Sequence, residues 1–132
     1  MPLLAADIGN TNIHFGLHTG TEWCCSWRAR TISRKMSDEY AVLLRSFFEE
    51  GGLSFADVNG VVMASVVPDL TRTFSELSER YLKARALNVN STVNCGIGIR
   101  VDNPREVGAD RIVNAAAVHA LYRCAAVVID FG

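Results

Sequence analysis

Residues 5–12 read AADIGNTN: a short apolar run ends on an acid, and a glycine and two asparagines follow around a threonine. Residues 3 to 8 are apolar up to Asp7, which predicts a strand covered on both faces. Beyond the turn the pattern changes to alternation. Ile13, Phe15 and Leu17 fall on one face, with His14, Gly16 and His18 on the other. HTGTE is a turn by composition. The next run places Trp23, Cys25 and Trp27 opposite Cys24, Ser26 and Arg28. Three successive antiparallel strands are therefore expected, with DIGNTN as their first connection.

The rest of the chain changes period. Ser37 is the expected N-cap of a helix, with Asp38 and Glu39 in its first turn and Tyr40, Leu43, Leu44, Phe47 and Phe48 as its apolar stripe. Gly51 and Gly52 end it. GVVMASVV, 60–67, is a buried strand, and Pro68 and Asp69 open a helix with Leu70, Phe74, Leu77, Tyr81 and Leu82 inward. Weak strand signals over 86–101 are broken by NCGIG. A last helix is expected from near Val107, and AAVVIDFG closes the sequence as another apolar strand ending in an acid. The element order is thus βββαβα-β-αβ, an α/β domain with a mixed sheet.

Composition narrows the function. The sequence has 132 residues, 49% apolar and 20% charged, with a formal net charge of −1. That suits one globular core and gives no field for nucleic acid or an anionic membrane. The basic stretch RARTISRK, 28–35, has no aromatic platform beside it and is expected to be a solvated loop or strand edge. No apolar run approaches the roughly 20 residues of a membrane helix. MPLLAADIG lacks the basic region of a secretory signal. Cys24, Cys25, Cys95 and Cys124 show no CxxC or Cys/His ligand spacing. Reduced thiols in a cytoplasmic protein are the expectation.

Three stretches can carry chemistry. In DIGNTN, Gly9 lets neighbouring amides face inward as an anion nest, Asn10, Thr11 and Asn12 add donors, and Asp7 suits a hydrated magnesium ion beside phosphates. The same hexapeptide equally suits a plain hairpin turn. In NPREVGADRIVNAAA, 103–117, Gly108 permits close approach at a helix start, where free amides favour anions. Arg111 is unfavourable there for the helix dipole, so a carboxylate-bearing ligand or a salt bridge must account for it. Asp130 ends the last apolar strand, which is either a turn residue or a ligand group. Three acids, Asp7, Asp110 and Asp130, around an anion nest suggest metal-assisted phosphoryl transfer.

DIGNTN, SVVP at 65–68, NPREVGADRIVNA and IDFG occur here in the order found in type III pantothenate kinases, and the sequence resembles the N-terminal half of one. The resemblance implies a ribonuclease-H-like (actin-like ATPase) domain over 1–123, with 124–132 as the first strand of a truncated second domain. It implies a cytoplasmic, homodimeric kinase that uses ATP with Mg2+ and a monovalent cation (K+ or NH4+). That enzyme phosphorylates pantothenate to 4'-phosphopantothenate, the first step of coenzyme A synthesis.

By matching position, Asp7, Ile8, Gly9, Asn10, Thr11, Asn12, Ile13 and His14 would form the first phosphate loop. Gly108, Ala109, Asp110 and Arg111 would contact pantothenate, with Asp110 as base and Arg111 near the substrate's carboxylate. Asp130 would help hold the monovalent cation. Val101 stands where the family commonly carries a tyrosine lining the pantothenate pocket. With half a cleft, these residues alone are expected not to turn over. The alternative is a catalytically inactive nucleotide-binding or regulatory module of the same fold.

Overall fold

The computed structural model describes residues 1–131; Gly132, the end of the expected last strand, lies outside the described residues. The three N-terminal strands form as the alternation requires: β1 (Leu3–Ile8), β2 (Asn12–His18) and β3 (Trp23–Arg30). β4 (Gly60–Ser65) and the short β5 (Ala86–Asn88) complete a sheet of order β3-β2-β1-β4-β5. β1–β2 and β2–β3 pair antiparallel, while β1–β4 and β4–β5 pair parallel. Only β2 runs against the rest, which is the ribonuclease-H-like arrangement. β3 is an edge strand, so Arg28 and Arg30 project from a solvated edge as their composition suggested.

One face of this sheet holds the core. Leu4, Ala6 and Ile8 of β1, with Ile13, Phe15 and Leu17 of β2, are buried against α1 (Ser37–Glu50) and α2 (Pro68–Leu77). From α1 come Tyr40, Ala41, Leu44 and Phe48, and from α2 Leu70, Phe74 and Leu77. A π-helical turn, Ser78–Leu82, extends α2 and ends at Lys83 in the left-handed region. Each fully buried Leu, Phe or Met side chain contributes about 1.5–3 kcal/mol by leaving water.

The other face is only partly covered. α3 (Ala109–Tyr122) lies against it, burying Ala109 and Ile112, and Val113 looks onto Ala5, Val62 and Ala64. Over β1, β2 and β3 the face stays open. The expectation that β1 is covered on both faces therefore fails: Leu3 is exposed and Ala5 half-buried.

Four further boundaries differ from the sequence reading. A bulge between Leu17 and His18 pairs His18 with Trp23 instead of Cys24. It moves Trp23 onto the open face, over Gly16, while Cys25 and Trp27 stay on the α1 face beside Gly51. Met36, not Ser37, is the N-cap of α1; Ser37 is its buried first residue, and the Glu39 carboxylate accepts the Met36 N–H at 2.8 Å. α3 starts at Ala109 because Pro104–Glu106 takes a separate 3-10 turn and Gly108 is extended at the cap. Residues 125–131 form no strand among the described residues and are exposed throughout. A strand exists only by pairing, and this segment joins neither edge of the described sheet.

Candidate active site

The C-terminal end of β1 carries the site. Asp7 points to the open face because Leu4, Ala6 and Ile8 take the inward positions. Directly across the antiparallel ladder stands His14, and across the next ladder Arg28 stands opposite His14. The three side chains thus form a row on one face. They line a shallow depression of about 830 Å³ with Ala5, Gly16, Trp23, Ser26, Val62, Ala64 and Val113.

After Ile8 the chain turns at Gly9–Thr11. The Gly9 N–H donates to the Asn12 carbonyl at 3.0 Å, so this amide closes the turn and is not presented to a ligand. A Cβ on Gly9 would approach that carbonyl to 3.0 Å, and this contact is the need for glycine; its φ is not left-handed. The nest expected at Gly9 is therefore a hairpin turn first, with exposed Asn10, Thr11 and Asn12 as the groups that face outward. Ile13 is buried and anchors the far side of the loop. On the parallel side, the Val66 N–H donates to the Ile8 carbonyl and the Ser65 hydroxyl to the Val67 carbonyl, which ties SVVP to the end of β1.

α3 brings its N-terminus to the same place. The Gly108 carbonyl accepts the first helical N–H groups, from Arg111 and Ile112. The Asp110 carboxylate folds back, its Oδ1 accepting the Arg111 N–H at 2.8 Å. It lies so close over Gly108 that a Cβ there would sit 2.5 Å from Oδ1. One turn on, Asn114 Nδ2 donates to Asp130 Oδ2 at 2.9 Å. Arg111 and Asn114, with Val128, Ile129 and Asp130, line a second depression of about 480 Å³. Val101 is exposed, in the irregular segment before the 3-10 turn.

Asp7 lies within electrostatic reach of both Asp110 and Asp130. The Asp7 carboxyl is raised above its ordinary 3.8, chiefly by burial; His14 opposes the shift, and Asp110 and Asp130 add to it. Among the described residues no three His, Cys, Asp or Glu side chains are set to hold a metal ion between them. The donor set fits a hydrated Mg2+ held by one or two carboxylates with phosphate oxygens, and does not fit an all-protein cage.

Two site residues escaped the sequence reading. Asn114 carried a usable signal, lying four residues after Asp110 on the same helix face. Thr31 carried none, because it is embedded in a basic stretch. Its hydroxyl donates to the Gly9 carbonyl at 2.7 Å.

A hairpin turn at the end of β1, Asp7 beside it and the N-terminus of α3 at the same end of the strand stand together on a ribonuclease-H-like sheet. The profile of the type III pantothenate kinase family matches residues 3–132, and the chain belongs to that family. It is 45% identical over 130 residues to the type III pantothenate kinase of Dehalococcoides mccartyi strain BAV1, covering 98% of this chain and 49% of that protein. To the type III pantothenate kinase of Moorella thermoacetica it is 47% identical, covering 98% and 51%. The chain spans about half the length of these relatives. YeaZ from Pseudomonas aeruginosa overlaps 67% of this chain and 42% of its own at a TM-score of 0.49 and 15% identity, below the level at which a shared fold follows. No described helix is long and apolar enough to cross a membrane, and all four cysteines are free.

Proposed function

We propose that this chain is the substrate-holding half of a cytoplasmic, homodimeric kinase that transfers the ATP γ-phosphoryl group to pantothenate, giving 4'-phosphopantothenate for coenzyme A synthesis. The observation that carries the reading is that α3 holds Asp110 at its first turn and Asp130 through Asn114, both within electrostatic reach of Asp7, in a member of this family. The loop from Asp7 to His14 binds the ATP phosphates through Asp7 and the exposed Asn10, Thr11 and Asn12, and the Gly108–Arg111 turn binds pantothenate. The Arg111 backbone N–H donates to Asp110 Oδ1, so Asp110 Oδ2 is the oxygen that takes the hydroxyl proton. The Arg111 guanidinium pairs with the substrate's carboxylate. Mg2+, when bound near Asp7, neutralises charge on the transferring phosphoryl group. Asp130, oriented by Asn114, would help hold a monovalent cation, K+ or NH4+.

Residues 124–132 begin a second domain in this reading, and that domain supplies the other wall of the ATP cleft. Positioning is most of what catalyses phosphoryl transfer, so the 132 residues alone do not turn over. The test is a coupled ADP-release assay on the 132-residue chain and on a polypeptide extended by a second domain. Pantothenate-dependent turnover only in the extended form is expected. Turnover of the short chain at full-length rates overturns the two-walled site. Val101, exposed where the family commonly has tyrosine, favours one second reading, an inactive nucleotide-binding module. ATP binding without pantothenate binding in the extended form would establish that instead.

A further inference from the structure

We infer that Thr31 is a positioning residue for the phosphate-facing turn, an inference that rests on the reading of Asp7–His14 as that turn. Thr31 follows β3 directly and grips the turn at two points. Its hydroxyl donates to the Gly9 carbonyl at 2.7 Å, and its N–H donates to the Thr11 carbonyl at 2.9 Å. The turn's own closure is a single bond, Gly9 N–H to Asn12 carbonyl. Without Thr31 the Gly9 carbonyl loses a partly buried donor, and the peptide between Gly9 and Asn10 is free to rotate.

The grip is itself anchored to the core. The next residue, Ile32, is exposed, yet its backbone is held on both polar atoms by one side chain. The Tyr40 hydroxyl accepts the Ile32 N–H at 3.0 Å and donates to the Ile32 carbonyl at 3.1 Å. Tyr40 is 1% exposed and packs its ring on Phe74. A continuous path therefore runs from the buried face of α1 through Tyr40, Ile32 and Thr31 to Gly9 and Thr11. It fixes the turn relative to the sheet from the side opposite Asp7. Thr31 touches no substrate on this path; it acts through the Gly9 and Thr11 carbonyls.

The test compares Thr31→Val, which keeps shape and removes the hydroxyl, with Thr31→Ser, which keeps the hydroxyl. The 15N-labelled polypeptide extended by a second domain is titrated with Mg-ATP, following the amides of Gly9 to Asn12, and amide exchange is read across residues 1–131. Expected are binding about 5–10-fold weaker in Thr31→Val and within about 2-fold of wild type in Thr31→Ser, as one hydrogen bond permits. Faster exchange is expected at 9–12 alone, with α1 unchanged. Wild-type affinity in Thr31→Val, equal weakening in both variants, or faster exchange spread through α1 would overturn the inference. An unsubstituted two-domain polypeptide whose turn does not respond to Mg-ATP overturns the phosphate reading itself, and the positioning role with it.

Discussion

Asp7 and His14 stand directly opposite each other in the β1–β2 ladder, on the face that α1 and α2 leave open. The imidazole lowers the Asp7 carboxyl, but burial and the charges of Asp110 and Asp130 prevail and raise it. A raised carboxyl holds its proton more tightly folded than unfolded. Its contribution therefore favours folding at acid pH and is lost as pH rises from 3.8 through the raised value. Asp7→Asn removes that loss. The variant is expected to melt above wild type at pH 7 and level with it near pH 3. Thermal melts at the two values check this, and a wild type more stable at pH 7 would contradict it.

Gly108 and Asp110 are expected to separate chemistry from folding. A methyl at Gly108 clashes with the carboxylate end of Asp110, which can swing away, and makes an ordinary contact with Val66, so Gly108→Ala should cost less than about 1 kcal/mol of stability. It should nevertheless turn the base from its place. In a polypeptide that phosphorylates pantothenate, Asp110→Asn should lose about 10²–10⁴-fold in kcat. Gly108→Ala should lose a smaller part of that with an unchanged melting temperature. Normal rates in Asp110→Asn would remove Asp110 as the base.

Lys83 ends the α2 helical stretch at φ 56°, and Arg123 ends α3 at φ 52°. Left-handed backbone costs a non-glycine residue about 1–2 kcal/mol, offset in part by the greater unfolded freedom of glycine. Lys83→Gly should therefore stabilise by about 0.5–1 kcal/mol. Denaturant titration should show a higher midpoint at unchanged slope.

The apolar segment after α3 should associate. Val127, Ile129 and Phe131 are 89%, 72% and 97% exposed, on a segment that forms no strand among the described residues. Light scattering of the chain is expected to show concentration-dependent oligomers that Val127→Lys with Ile129→Lys suppresses. A clean monomer at high concentration in the unsubstituted chain would count against it.

Much of the fold was legible because it follows from period and punctuation. Ile13, Phe15 and Leu17 fix which way β2 faces, and Gly52, at φ 69°, stops α1. What escaped has local physical causes. One extra residue at the β3 bulge reverses the phase of everything before it, so Trp23 changed faces while Trp27 did not. The Met36 cap was hidden because a backbone N–H and the Glu39 carboxylate make it, not a capping side chain. At the site, acids at element ends were visible one at a time, and family motifs joined them. Thr31 was invisible because its function depends on where β3 ends relative to a turn 22 residues earlier.

The bulge also gives the chain two separate optical reporters. Trp27 is stacked on Phe47 at 5.9 Å and on Phe48 at 5.4 Å, so its emission follows the integrity of the α1 face. Trp23 is 62% exposed on the opposite side, edge-on to His18 at 5.0 Å and beside the depression that Asp7 and His14 line. Replacing either tryptophan with phenylalanine leaves a single fluorophore. With Trp23 alone the spectrum responds to what enters the open face; with Trp27 alone it responds to whether the domain is folded.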